Sequence, residues 1–187
     1  MARYLFLFLM MVHSLSACAL CGTSKISWVD TYLNVLAKDD GLQSIHVQWK
    51  FDSGTSKDLK SAYPKPLVGD EKEKMYKALE TLQKPYFMTT VLINGKEHTF
   101  KAENFELRFE NATAIISFDI PIQKPLDGIN VIEILFLDST RAMAFLGNPD
   151  HATLENTTSF TLQKSSGFKV IKEMMATINY VKISVTK

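Results

Sequence analysis

Cysteine is nearly absent from this chain. Its two copies, Cys18 and Cys21, lie close together near the N-terminus, and none follows them. No disulfide framework can therefore staple the fold, and a hydrophobic core has to hold it. An excess of charge of one sign is lacking too. The 21 basic side chains oppose 20 acidic ones, for a net charge of +1. The lysines are interleaved with acids, as in "DEKEKMYK" (Asp70 to Lys77). No whole-molecule field draws on nucleic acid, so no nucleic-acid partner is expected. Gly-x-Ser-x-Gly, the Walker loop, His-Glu-x-x-His and Gly-x-Gly-x-x-Gly are all missing. That argues against an enzyme, and no cofactor is expected. Internal repeats and low-complexity tracts are missing as well. With 187 residues and 46% hydrophobic side chains, the chain has enough apolar material for one domain with an ordinary core.

What is present begins with "YLFLFLMMV" (Tyr4 to Val12), an uncharged run just after Arg3. As a helix it would be about 14 Å long, whereas the bilayer core takes about 20 residues to cross. The run is too short to span and suits the apolar region of a secretory signal. "LSAC" (Leu15 to Cys18) then matches the bacterial lipobox, in which the cysteine becomes a lipidated N-terminus. Ala17-Cys18-Ala19 also matches the small-x-small pattern of ordinary signal peptidase, which would cut after Ala19. The expectation is a signal peptide over 1–17, lipidation at Cys18 and a linker over 18–25. The protein would then sit in the periplasm or cell envelope, anchored to the inner or outer membrane. The alternative is a soluble periplasmic chain cut at Ala19. As a metal or redox motif, Cys18-x-x-Cys21 lacks both a second pair of cysteines and a thioredoxin-like context.

The rest of the chain reads as β. "ISWVDTYLNVLA" (Ile26 to Ala37) is β-branched and aromatic, and "LQSIHVQWKF" alternates over Ile45, Val47, Trp49 and Phe51. Asp40-Gly41 between them is a hairpin signal, as is Asn94-Gly95 further on. "DSGTSKD" reads as a loop, and Pro64 and Pro66 break any helix near them. Glu71 to Gln83 reads as a helix, with Met75, Leu79 and Leu82 on one face and acids at its start. "YFMTTVLI", "EHTFKA", "FELRFE" and "ATAIISFDIPI" read as strands, and "NVIEILFLD", apolar on both faces, as a central one. "AMAFLG", "SFTLQ" and "YVKISV" are shorter strand candidates. The expected fold is mainly β (α+β): sandwich-like antiparallel sheets with one inserted amphipathic helix near residues 70 to 83. A β-rich domain would cover 26–146, and 147–187 would be its C-terminal β extension.

The order "SWVD", "VQWKFD", a short helical stretch, "YFMTTVLINGKEHTF" and "IEILFLDSTRAMAF" resembles a bacterial family, number one thousand and seven in the domain-of-unknown-function series. The matching positions are Trp28 and Asp30; Trp49, Phe51 and Asp52; Tyr86-Phe87; Asn94-Gly95-Lys96; and Asp138 with Ala144-Phe145. The opening "ACALC" resembles the shorter members from epsilon-type proteobacteria. The resemblance implies export, a β-rich domain, and a role as the periplasmic component of an uncharacterised ABC-type transport system, associated with nickel, cobalt or zinc. Typical members begin the mature chain with His-Pro-His before the first strand. Here Ser24-Lys25-Ile26 stands there, so the imidazoles that would suit such metals are gone.

The resemblance leaves Trp28, Asp30, Trp49 and Asp52 as candidate binding residues. Candidate metal ligands are Cys21 and His151, the latter read as a loop residue in "NPDHAT"; His46 and His98 read as exposed strand histidines. Three ligands or more are needed for a zinc site, and these lie on separate segments, so weak metal binding or none is expected. The functional expectation is a non-catalytic binding or accessory component of a metal transport system, with a membrane transporter or another envelope protein as partner. The alternative is a structural or protein-interaction module of the envelope without metal binding.

Overall fold

The computed structural model describes residues 26–38, 41–81, 85–125, 128–156, 160–171 and 176–186. The expected signal peptide and linker, with Cys18 and Cys21, lie outside the described residues.

Among the described residues ten strands form two five-stranded sheets. They are β1 (Ser27–Lys38), β2 (Gly41–Phe51), β3 (Thr89–Ile93), β4 (Lys96–His98), β5 (Glu103–Glu110), β6 (Thr113–Lys124), β7 (Ile129–Phe136), β8 (Met143–Asn156), β9 (Thr161–Ile171) and β10 (Ala176–Thr186). One sheet runs β5-β6-β2-β1-β8, the other β4-β3-β7-β10-β9. Pairing is antiparallel except between β1 and β8, which run parallel. This is the sandwich-like, mainly β fold that the alternation predicts. Of the expected C-terminal extension, 147–187, the greater part of β8 lies on one edge of the first sheet, and β9 and β10 are two of the five strands of the second.

The core lies between the sheets. On β1, Val29, Leu33 and Val35 point inward; on β2, Ile45, Val47, Trp49 and Phe51 do. Trp49 is fully buried. Its ring meets Phe118 of β6 edge-on at 5.1 Å, Phe136 of β7 edge-on at 6.4 Å, and Phe145 of β8 at 5.2 Å. These are favourable aromatic geometries and link both sheets. Strand β7, read as central, lies between β3 and β10.

The described residues hold two α-helices rather than one, α1 (Ser53–Ala62) and α2 (Gly69–Thr81). Helix α1 falls where Asp52-Ser53-Gly54 suggested a loop. Asp52 is instead its N-cap, accepting the Thr55 N–H, a role aspartate favours as much as it favours turns. Leu59 buries the helix against the core. Ser56 Oγ donates to the Phe51 carbonyl and accepts the Ala114 N–H, fastening α1 to β2 and β6. Helix α2 carries Asp70 and Glu71 in its first turn and buries Met75 and Leu79, as expected.

"YFM", expected as strand, is a tight 3-10 turn over Tyr86–Met88. Phe87 and Met88 take left-handed φ values of 48° and 47°, which costs about 1–2 kcal/mol per residue. Both side chains are fully buried, and burial of each contributes about 1.5–3 kcal/mol. The core thus holds the turn, with the Phe87 ring among Tyr76, Phe105 and Phe118.

Two turns give opposite expectations. Gly41 starts β2 at φ 135°, and a Cβ there would lie 2.2 Å from the Lys124 carbonyl oxygen. Gly41→Ala should therefore lower the unfolding free energy by about 2 kcal/mol or more. Ala112 occupies the β5–β6 turn at φ 69°, after Asn111 at φ 47°, where the turn type prefers glycine. Ala112→Gly should raise it by about 1 kcal/mol. Urea unfolding of the two variants measures both signs.

Candidate functional site

The first strand brings one large aromatic side chain to the surface. Alternation along β1 turns Ser27, Val29 and Thr31 inward and leaves Trp28 and Asp30 exposed. The Trp28 backbone is pinned on both sides. Its N–H donates to Asp52 Oδ2 at 2.8 Å, and its carbonyl accepts the Asp52 N–H at 3.0 Å. The same carboxylate accepts the Thr55 N–H at 2.9 Å and the Thr55 hydroxyl at 3.0 Å. Burial pushes the Asp52 pKa up, but the hydrogen bonds from Thr55 and Trp28 outweigh it, and the net shift is downward. One carboxylate thus starts α1 and fixes where Trp28 stands.

On its other side β1 pairs with β8, Trp28 opposite Ala144. The chain enters β8 through a loop built on Asp138, which is only 3% exposed. Its carboxylate accepts the N–H groups of Thr140, Ala142 and Met143, each at 2.8 Å, and the Thr140 hydroxyl at 2.7 Å. A buried carboxylate persists because this cage of donors replaces water. The loop in turn accepts the Ser27 N–H on the Ala142 carbonyl at 2.8 Å.

Between β8 and the ends of β9 and β10 the sandwich opens into a cleft of about 460 Å³. Trp28 and Ile26 form one wall, Ala144 to Leu146 another, and Phe168 and Ile178 the third. Phe168 is 76% exposed, Ile26 57%, Trp28 53% and Leu146 38%. The titratable side chains lining the cleft are Asp138 and Arg141. Both oxygens of Asp138 are occupied by its own loop, so it is not placed to move a proton for a bound molecule. The geometry suits retention of an apolar group.

Of the four binding candidates, only Trp28 lines this cleft. Asp30 is exposed beside it, two residues along the same face. Asp52 acts through the backbone behind it. Trp49 is a correction: it belongs to the core, because the alternation that aligns it with Ile45 and Val47 points it inward.

The histidines are engaged at separate places. His46 Nδ1 lies 2.6 Å from Asp119 Oδ1 on the outer face of the first sheet. His98 Nε2 is 2.9 Å from the Pro121 carbonyl. His151 is not in a loop but within β8, where the parallel register with β1 jumps from Thr31–Gly147 to Leu33–Ala152. "NPDH" is therefore a bulge inside a strand. The His151 ring stacks on Tyr32 at 4.0 Å between centroids, and Lys50 Nζ sits 3.9 Å from the centre of the same Tyr32 ring. Among the described residues no three His, Cys, Asp or Glu side chains gather as a metal site, and no helix is long and apolar enough to cross a membrane. Nothing local in the sequence marks Phe168, Ile178 or Leu146 as lining an open cleft. "GFKV" alternates like a core strand, and nothing local marks Phe168 as exposed.

Asp52 is testable by pH. Its folded pKa lies below the ordinary value, so its charge stabilises the fold fully above the unfolded carboxylate range, about pH 4. That contribution is lost as pH falls through the lowered folded value. Asp52→Asn, which keeps a capping oxygen, should be less stable than wild type at pH 7, and the gap should shrink toward pH 2. Asp138→Ala should cost about 3 kcal/mol or more at pH 7, since it strands three backbone N–H groups. Denaturant titrations at several pH values read both.

No curated protein is a significant match to the chain. A solved structure of AChBP from Bulinus truncatus aligns over 97% of both chains, at 9% identity and a TM-score of 0.39, a likeness too slight to carry an argument. The family described as "Protein of unknown function (DUF1007)" matches residues 26–170, from the start of the Trp28 wall to the exposed end of β9. The chain belongs to that family.

Proposed function

We propose that the chain is an exported, non-catalytic component of the bacterial cell envelope, lipid-anchored at Cys18, that works by contact through the apolar face around Trp28. The observation that carries this reading is that face itself. Four large apolar side chains stand exposed around one cleft, and the buried acid in its wall is engaged by its own loop. Such a surface suits contact rather than acid–base chemistry. Export and anchoring are supported by the short apolar run followed by "LSAC".

Association with a nickel, cobalt or zinc transport system, as in the family's epsilon-proteobacterial type, is a second reading. It is supported by the order of motifs that resembles the family. Against a carrier role stands the chemistry of this chain's own ligands. Ser24-Lys25-Ile26 replaces the family's histidine pair, and His46, His98 and His151 are each held by different neighbours. The interaction-module form of the function is therefore preferred.

Mass spectrometry of the N-terminus of the mature protein tests the anchor. An acylated chain starting at Cys18 is expected. A chain starting at Leu20 without lipid would remove the anchor, and an intact Met1 would remove export. Titration calorimetry with Zn²⁺ and Ni²⁺ tests the second reading. Micromolar or weaker binding, indifferent to His151→Ala, is expected; stoichiometric binding tighter than about 8 kcal/mol that needs His151 would restore a metal carrier.

A further inference from the structure

We propose that the face around Trp28 docks on the bilayer surface, with Ile26, Trp28, Leu146, Phe168 and Val170 entering the boundary between headgroups and acyl chains. This rests on the proposed anchoring at Cys18 and names the partner of the same face.

The first observation is the composition of the patch. Phe168 and Val170 are 76% and 64% exposed, and their two-residue spacing on β9 puts both on one side of the strand. Phe168 lines the same cleft as Ile26, Trp28 and Leu146. Scattered exposed apolar residues are ordinary, but a contiguous group marks an interaction surface. Tryptophan is the side chain most at home at a membrane interface, where its ring is half in and half out of the apolar phase.

The second observation is where the chain enters the fold. The described chain begins at Ile26, on this face, and Cys18 lies eight residues earlier. Eight residues span at most about 29 Å when fully extended. An acylated Cys18 therefore keeps Ile26 within about 29 Å of the bilayer, whereas Lys38, at the far end of β1 and twelve residues beyond Ile26, can lie further from it. A lipobox cysteine carries more than one acyl chain, so the anchor holds by itself, but a tether of eight residues does not set how the domain lies on the membrane. The apolar face supplies that orientation at the point where the tether joins.

Charge on this face is balanced. Asp30 is exposed beside Trp28 and stands opposite Lys50 in the β1–β2 register, and Asp138 and Arg141 line the cleft together. Docking should therefore depend on apolar insertion and only slightly on salt or on the fraction of anionic lipid.

The chain has only two tryptophans, and Trp49 is fully buried, so emission from Trp28 is the difference between wild type and Trp28→Phe. The acylated full chain is reconstituted into phosphatidylethanolamine–phosphatidylglycerol vesicles, with or without bromine on the acyl chains. The expected result is that brominated lipid quenches the Trp28 emission several-fold, that the emission shifts to the blue, and that Phe168→Ser with Val170→Ser reduces both effects. If the acylated protein floats with vesicles while Trp28 stays open to aqueous iodide and unquenched by bromine, docking is overturned and the anchor stands. A chain that carries no acyl group by mass overturns docking together with the anchor. A blue shift that appears without vesicles and grows with protein concentration assigns the face to a second copy and also overturns the proposal.

Discussion

The sandwich depends on the wedge that Trp49 drives between its two sheets. The ring stands two residues before the end of β2 and touches aromatic rings on β6, β7 and β8. Phe136 and Phe145 also stack on each other at 5.6 Å. A single side chain thus sets the spacing between the sheets and the seat of β8 at their open edge. Removing a ring of this size from a packed core costs about 3–5 kcal/mol, a large share of the stability of an ordinary domain. The edge where the cleft opens is placed by this contact, because Phe145 reaches the core from the same stretch of β8 whose Leu146 faces solvent.

The acids that stand out in the sequence do a different job. Asp52 and Asp138 sit at chain reversals and both satisfy backbone N–H groups. Each replaces several hydrogen bonds that the sheet ladder cannot supply at its ends. Together they fix the two sides of β1 at Trp28: Asp52 through the Trp28 amide, and Asp138 through the loop whose Ala142 carbonyl holds Ser27. The exposed tryptophan is precise in position without being packed. In this fold, carboxylates that resemble catalytic candidates are the frame of a surface.

Most of the fold was legible, because a half-buried strand records its burial in its alternation. Ile45, Val47, Trp49 and Phe51 declared the inner face of β2, and Asn94-Gly95 declared its hairpin with φ values of 52° and 76°. The failures have physical causes. Asp-Ser-Gly starts turns and helices equally well, so nothing local separates α1 from a loop. The left-handed turn at Phe87 and Met88 is imposed by tertiary burial, which local preference does not encode. "NPDH" has the composition of a loop, yet the pull of β1 on both sides of it keeps β8 continuous through a bulge. The cleft was half legible. Trp28 stood out as an aromatic on the outer parity of its strand, but Phe168 shares the pattern of a buried strand. Whether an alternating face meets a core or open space depends on strands far away in sequence.

That distance has a kinetic side. Strand β1 pairs in parallel with β8, and Thr31 Oγ1 donates to the Leu146 carbonyl across 115 residues. A parallel pair between the first strand and the eighth cannot form by local zipping; it waits for nearly the whole chain and closes the longest loop in the domain. Until then β1 has only β2 beside it, and the wall that holds Trp28 is half built. The wall that holds Trp28 is therefore completed by the most distant pairing of the domain, and β1 keeps an open edge until β8 reaches it.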